Sequence, residues 1–306
     1  MVLASGVIAT SPLPAFGLDT PSPTLPMNGI ALPQDDPHVP LWACWIGHST
    51  VLLRIGGMWV LTDPVLYEAY GMSVLGVTIG PRRVREAAIP FEKLPQPDLV
   101  LLSHAHMDHM DRATLRAIAL RWPNSIDVII ATNTRDVIDD LPWKSLNEID
   151  WCETVRIGSI TLTALEVRHN GWRLPGEPCR AAGYKRTGRS YNGYNIEFDG
   201  INVVFGGDTA YTNQFKHIVH APDLAIMPIG AYDPFPETHC TPEECLAMVE
   251  MMKARSIMPI HHSTFRQSEE PLHDPIRRLR RALRKSSTEL AVHGIGGSYQ
   301  IAGQST

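Results

Sequence analysis

Residues 97–111 read PDLVLLSHAHMDHMD, and no other stretch restricts the fold of this 306-residue chain so tightly. The apolar run has the length of a buried strand. It feeds without a linker into His104, His106, Asp108 and His109, and a helical pattern opens near Asp111. His104 and His106 are two apart, so they point to the same side of an extended backbone. Desolvating four nitrogen and oxygen donors together without a cation is costly. The segment therefore reads as the end of a strand that turns into a helix and carries donors for a divalent ion. Imidazole and carboxylate suit Zn²⁺, Fe²⁺ or Mn²⁺, and the lack of cysteine in the cluster argues against a closed structural zinc site.

From Leu41 onward the chain is built of short Val-, Ile- and Leu-rich runs punctuated by turns: WACWIGH, TVLLRIGG, MWVLTDP, PDLVLLSH, SIDVIIAT, SITLTALEV, YNIEFDG, INVVFGGD, DLAIMPIG and SIMPIHH. These are strand signals. DRATLRAIALRW, TPEECLAMVEMMKAR and DPIRRLRRALRK read as helices, each opening on a residue suited to capping; Thr241-Pro242-Glu243-Glu244 has the form of a capping box with proline at the first helical position. The order predicts an α+β domain over 41–306, two sheets covered by helices, with no internal repeat. Residues 1–40 are proline-rich and contain no Lys or Arg, so they read as an N-terminal arm or the remnant of an export signal. The helix around Asp274–Lys285 sets Ile276, Leu279 and Leu283 on one stripe among basic residues. That pattern predicts a surface helix with its stripe on the core, with contact to anionic lipid as the alternative.

A net charge of −5 provides no overall basic field for nucleic acid, and none is expected as a partner. The five cysteines are odd in number, scattered and without a C-x-x-C pair, so they read as reduced thiols. No apolar stretch reaches the roughly 20 residues of a membrane-spanning helix. A cytoplasmic protein is expected, or an exported one if the apolar N-terminal stretch is a signal. Its expected partner is a small-molecule or lipid substrate, with at most peripheral membrane contact.

H-A-H-M-D-H matches the H-x-H-x-D-H signature of the metallo-β-lactamase fold. GHSTVLLRIGGMWVLTDPV, GPRRVR, LPQPDLVLLSHAHMDHMD, EIDW, GGDTAY, MPIGAYDP, THCTPEE and PIHHSTF fall in the order found in one branch of that fold. The chain resembles the N-acyl-phosphatidylethanolamine phospholipase D-like and, more distantly, the ascorbate-phosphate lactonase-like proteins. The resemblance spans residues 42–300. It implies a four-layer αββα sandwich with two divalent metals, zinc before manganese or iron, at an open edge between the sheets. One metal would be held by His104, His106 and His169, the other by Asp108, His109 and His261, with Asp208 bridging. His169, Asp208 and His261 each follow an apolar strand signal, where a site at sheet edges needs them. Neighbouring strand residues face opposite ways, so one of His261 and His262 ligates. The resemblance selects His261; His262 stands where the phospholipase branch commonly has an aromatic residue.

Two divalent ions offset by two aspartates leave a positive site that lowers the pKa of water and stabilises charge on a phosphoryl or acyl oxygen. The expected function is a metal-dependent hydrolase using a hydroxide activated by two metals, most directly a phosphodiesterase of the phospholipase D-like kind. A lactonase or an iron-dependent oxidase or dioxygenase of the same fold are the alternatives. Asp108 is expected to orient the hydroxide, and His239 to contact substrate or protonate the leaving group. Asp63 in LTDP is a candidate acceptor behind a ligating imidazole. His48 follows the family pattern without an assigned role. The segment after His169, NGWRLPGEPCR onward, departs from the phospholipase pattern where a substrate pocket should lie.

Overall fold

The computed structural model describes residues 32–33, 39–74 and 77–301. The 1–31 part of the proline-rich arm lies outside the described residues; Leu32 and Val39 pack against the core beneath the first helix. In chain order the strands are β1 (Leu41–Gly47), β2 (Thr50–Ile55), β3 (Met58–Thr62), β4 (Met72–Val74), β5 (Val77–Ile79) and β6 (Leu99–Leu101). Helix α1 (Arg112–Arg121) leads to β7 (Asp127–Ala131), β8 (Ser145–Ile149), β9 (Thr154–Ile157), β10 (Ile160–Leu165), β11 (Gly193–Phe198), β12 (Ile201–Phe205) and β13 (Leu224–Pro228). After these come α2 (Pro242–Met251), β14 (Ser256–Ile260), α3 (Asp274–Leu283), β15 (Glu289–Leu290) and β16 (Ser298–Ile301).

Among the described residues, two seven-stranded sheets form, ordered β16-β1-β2-β3-β6-β7-β8 and β15-β14-β13-β12-β11-β10-β9, and β4–β5 make a separate hairpin. Period-two alternation explains the layering. Along β1, Leu41, Ala43 and Trp45 enter the core between the sheets, while Trp42, Cys44 and Ile46 face the layer that packs under α1. On the other side, Val204, Ala225, Met227 and Ile257 meet Cys245, Leu246, Met248 and Val249 of α2 and Leu279 of α3. The result is the expected αββα sandwich. The stripe of α3 lies in that same layer, with Ile276 and Leu283 packed against it, so the helix presents its basic face outward. All five cysteines are unpaired.

Local signals account for two helix starts. Asp111 caps α1 by accepting from the Thr114 N–H, and Thr241 and Glu244 close a reciprocal capping box on α2; such caps contribute about 1 kcal/mol each. The third start differs from the expectation. Asp274 lies inside α3, whose cap position is His273 without a side-chain cap bond. The Asp274 carboxylate instead accepts from Tyr232 Oη at 2.7 Å and from Arg277.

The run β3-β6-β7-β8 and the run β12-β13-β14-β15 are each parallel. Their carboxyl ends point to one rim of the sandwich, where open α/β sheets place their ligands.

Candidate metal centre

Each expected donor arrives from the carboxyl end of a strand. β6 is shorter than the sequence suggests, because Ser103 N donates to Asp63 Oδ1 at 2.7 Å instead of continuing the ladder. The donors of 104–109 therefore sit in a turn and not on a strand, with His104 held by an isolated bridge to Tyr191. The Asn192 N–H donates to Ser103 O at 2.9 Å, and Tyr194 Oη donates to Leu102 O at 2.7 Å, which ties this turn to the second sheet. Asp208 follows β12 through Gly206 and Gly207. Gly207 has φ +57°, and a Cβ there would lie 2.7 Å from Ser103 Cβ, so a side chain is excluded where the two sheets touch. His169 is aligned with Asp208 by the Ala210 N–H donating to Arg168 O at 2.7 Å. His261 directly follows β14; its N–H donates to His48 O at 3.0 Å. His48, Asp63 and His261 have φ of 54°, 33° and 60°, a left-handed conformation costly for side-chain-bearing residues and concentrated at functional sites.

His104, His106 and His169 converge first. His104 Nε2 is 2.8 Å from His106 Nδ1, and His169 Nε2 is 3.2 Å from the same atom. The far side of each ring decides what these close nitrogens are. His169 Nδ1 faces Thr238 O at 2.8 Å, and a carbonyl only accepts, so Nδ1 carries the hydrogen. His106 Nε2 donates to Asn170 Oδ1 at 2.8 Å. Ser103 Oγ gives its hydrogen to Asp63 Oδ2 at 2.5 Å and so accepts from His104 Nδ1 at 2.9 Å. All three facing nitrogens are then lone pairs. Burial first, together with neighbouring imidazoles, pushes His104 and His169 well below the usual histidine range and His106 to about 4, so the rings are neutral. Three lone pairs this close repel unless a cation lies between them; Zn–N bonds of about 2.0–2.1 Å at tetrahedral angles put donors about 3.3 Å apart.

The second group forms around two carboxylates. Asp208 Oδ2 lies 3.0 Å from His109 Nε2, 3.1 Å from His261 Nε2 and 3.9 Å from His169 Nε2. Asp108 Oδ2 lies 3.4 Å from His261 Nε2 and 3.6 Å from His109 Nε2. Asp208 is thus placed between both groups. Burial opposes charge on His109 and His261, but the Asp208 and Asp108 carboxylates outweigh it, holding His109 well above its usual range and His261 at about 9. The same imidazoles hold both aspartates well below the usual carboxylate range against burial. Even so, His109 Nε2, Asp208 Oδ1 and His261 Nδ1 are buried without a hydrogen-bond partner. A donor set of this chemistry, with orphaned atoms and a strong negative potential, fits two divalent ions.

The other expected residues also reach the site. Asp63 Oδ2 accepts from His109 Nδ1 at 2.6 Å, leaving Nε2 to face the aspartates. His239 is partly exposed at the mouth, with Nε2 3.3 Å from Asp208 Oδ2. His262 turns away and packs its ring 4.6 Å from that of Trp45.

Several contacts were not legible from the sequence. His48 Nε2 is 3.0 Å from Asp108 Oδ2, close enough to group with Asp108, His109 and His261 as a further donor. Gln267 Nε2 donates to Asp108 Oδ2 at 3.0 Å, and Tyr70 Oη donates to Gln267 Oε1 at 3.0 Å. The segment after His169, divergent as it is, wraps the metal turn: Asn170 holds His106, the Trp172 ring lies 4.9 Å from that of His106, and Arg173 Nη1 donates to Ala105 O and Met110 O, both at 2.9 Å. The one signal for the last of these was a lone arginine four residues after His169.

Two helix-covered sheets with this donor set at one rim define an αββα sandwich with a candidate metal centre at its edge. The β-lactamase superfamily domain family matches residues 58–262, and the chain belongs to that family. It is 32% identical over 258 residues to an uncharacterized protein of Mycobacterium tuberculosis, an alignment covering 81% of this chain and 65% of that one. It is 28% identical over 258 residues to N-acyl-phosphatidylethanolamine-hydrolyzing phospholipase D 1 of Caenorhabditis elegans, covering 79% of this chain and 69% of that one. This chain therefore spans about two thirds of the length of those relatives. A novel metallo hydrolase of Ignicoccus hospitalis shares the fold with a TM-score of 0.62 at 17% identity, covering 85% of this chain and 98% of that one. No helix among the described residues is long and apolar enough to cross a membrane.

Proposed function

We propose that the protein hydrolyses phosphodiesters in the manner of a phospholipase D, with His104, His106 and His169 holding one divalent ion, Asp108, His109 and His261 the other, and Asp208 reaching both. The observation that carries this reading is the position of Asp208 Oδ2 between the two histidine groups. The similarity to the nematode phospholipase points the same way. When bound, the two ions supply Lewis acidity toward water and toward the phosphoryl oxygens.

The chain's own residues then divide the remaining work. Asp108, fixed by N–H groups of His48 and Gln267, orients the attacking water. Asp63 and Ser103 keep His109 and His104 in the tautomers that present Nε2 inward. His239, at the mouth beside Asp208 and 3.0 Å from Thr238 Oγ1 through Nδ1, holds the proton that the departing oxygen takes up.

The test is turnover of bis-p-nitrophenyl phosphate by protein reconstituted with Zn²⁺, Mn²⁺ or Fe²⁺, set beside a lactone panel. Diester turnover that disappears on chelation is expected. Lactone opening without diester cleavage would replace the reading with a lactonase.

A further inference from the structure

Gln267 reaches the centre from outside the set that would hold the ions. Its Nε2 lies 3.0 Å from Asp108 Oδ2 and 3.3 Å from His261 Nε2, and Tyr70 Oη lies 3.0 Å from its Oε1. The two ends of a side-chain amide are told apart by their partners. The Asp108 carboxylate only accepts, so the atom facing it is the amide nitrogen; the oxygen then faces Tyr70, whose hydroxyl donates. That nitrogen carries two hydrogens, and one goes to Asp108. The other neighbour in range, His261 Nε2, has no lone pair to offer once it holds an ion, so the second hydrogen is left for an acceptor brought in from outside. Gln267 is half-buried. With His48 and His261 it lines a cavity of about 20 Å³, room for one group the size of a water molecule.

The donor is held from several directions. The Val84 N–H donates to Thr264 O at 2.8 Å, and Arg83 pairs with Phe265 in an antiparallel bridge, so the chain entering Gln267 is tied to the GPRRVR segment. The Arg83 guanidinium lies 5.1 Å from the centre of the Phe265 ring. The same ring meets those of Tyr70 and His48 edge-on at 4.8 and 5.2 Å. Tyr70 is fixed in turn by a close backbone approach, since a Cβ on Gly80 would lie 2.0 Å from Tyr70 O. His239 reaches Asp208 and Gln267 reaches Asp108, so a donor that holds no ion stands beside each carboxylate of the centre. A neutral N–H fixed in advance needs no reorganisation when negative charge develops on a reacting group, and that is what makes such a donor effective.

We infer that Gln267 is a further catalytic residue: its second N–H, aimed by Tyr70 as a positioning residue, donates to a nonbridging oxygen of the bound phosphoryl group. The inference rests on the phosphodiesterase reading for its substrate, and its test reads anion binding separately from turnover. Zn²⁺-loaded protein, freed of excess metal, is titrated calorimetrically with inorganic phosphate, and turnover of bis-p-nitrophenyl phosphate is followed against pH. Gln267→Met keeps the length of the side chain and removes the donor. It should bind phosphate about tenfold more weakly and lose about 100-fold in kcat/KM, with the acidic limb of the pH profile unmoved. Tyr70→Phe leaves the amide free to turn over and should lose about three- to tenfold in both measurements. Both variants should carry the parent's metal content, which also shows that they fold. A Met variant with the parent's phosphate affinity and turnover overturns the inference. So does one that binds phosphate like the parent and loses rate only through a shifted acidic limb, because Gln267 would then act solely by holding Asp108. Tyr70→Phe with parent values overturns the positioning role of Tyr70. Phosphate binding that depends on Gln267 in protein that cleaves no diester removes the phosphodiesterase reading and leaves the anion contact in place.

Discussion

Asp63 Oδ2 lies 2.6 Å from His109 Nδ1, with both side chains completely buried. The same oxygen accepts from Ser103 Oγ, which in turn accepts from His104 Nδ1, so one carboxylate sets the tautomer of an imidazole in each donor group. Asp63→Asn keeps the shape and removes the charge that makes this bond strong. We expect a 10- to 100-fold loss of metal affinity in a chelator competition titration, with an unchanged far-UV circular dichroism spectrum. Parent affinity in this variant would falsify the role.

His169 and His261 belong to different donor groups, and both approach Asp208 Oδ2, at 3.9 and 3.1 Å. His169→Ala should therefore lose one equivalent of metal and His261→Ala the other, each retaining its neighbour, as read by elemental analysis of the purified proteins. Chelation of the parent should lower Tm by about 5–10 °C, since a ligand at 100 times its Kd contributes about 2.7 kcal/mol and each kcal/mol shifts a domain of this size by about 2–4 °C. Both substitutions removing the same equivalent would contradict two separate positions.

The parts of this molecule written in local pattern are legible in its sequence. Alternating β1, the apolar runs of β12, β13 and β14, and the cap of α2 depend on neighbours within a few positions. The clustered donors of 104–109 carry their chemistry in their spacing. What the sequence conceals is set by distant partners. Gln267 reaches Asp108 across 159 positions and Tyr70 reaches Gln267 across 197, and nothing near either residue announces the contact. β8 and β9, with sequences SLNEI and TVRI, have few apolar residues because they close the ends of their sheets. β6 is shorter than its apolar run because the Asp63 side chain, just past the end of β3, intercepts the N–H of Ser103.

His262 shows how adjacency separates structure from chemistry. Its ring is buried against Trp45, and burial pushes it down to about 3, so it behaves as a neutral aromatic filler; its Nε2 has no hydrogen-bond partner. His262→Phe fills similar volume without the unpaired nitrogen. Stability should stay within about 1.5 kcal/mol of the parent in urea unfolding, and the metal content should be unchanged. A loss of metal equal to that of His261→Ala would place His262 among the ligands.

Arg173 bears on whether the divergent segment after His169 belongs to the centre or only borders it. Its guanidinium donates to the carbonyls of Ala105 and Met110, which flank the four residues from His106 to His109, and its charge is largely buried, which lowers its pKa. Arg173→Met strands both carbonyls in a dry environment, at about 1–3 kcal/mol for each unpaired group, while Arg173→Lys can satisfy one of them. A turn released at both ends no longer holds His106 Nδ1 against His104 and His169. In Co²⁺-substituted protein, Arg173→Met should show a weakened and shifted visible band with at least tenfold lower affinity, and Arg173→Lys should fall between it and the parent. A Met variant with the parent spectrum and affinity, merely less stable to urea, would reduce Arg173 to a packing residue.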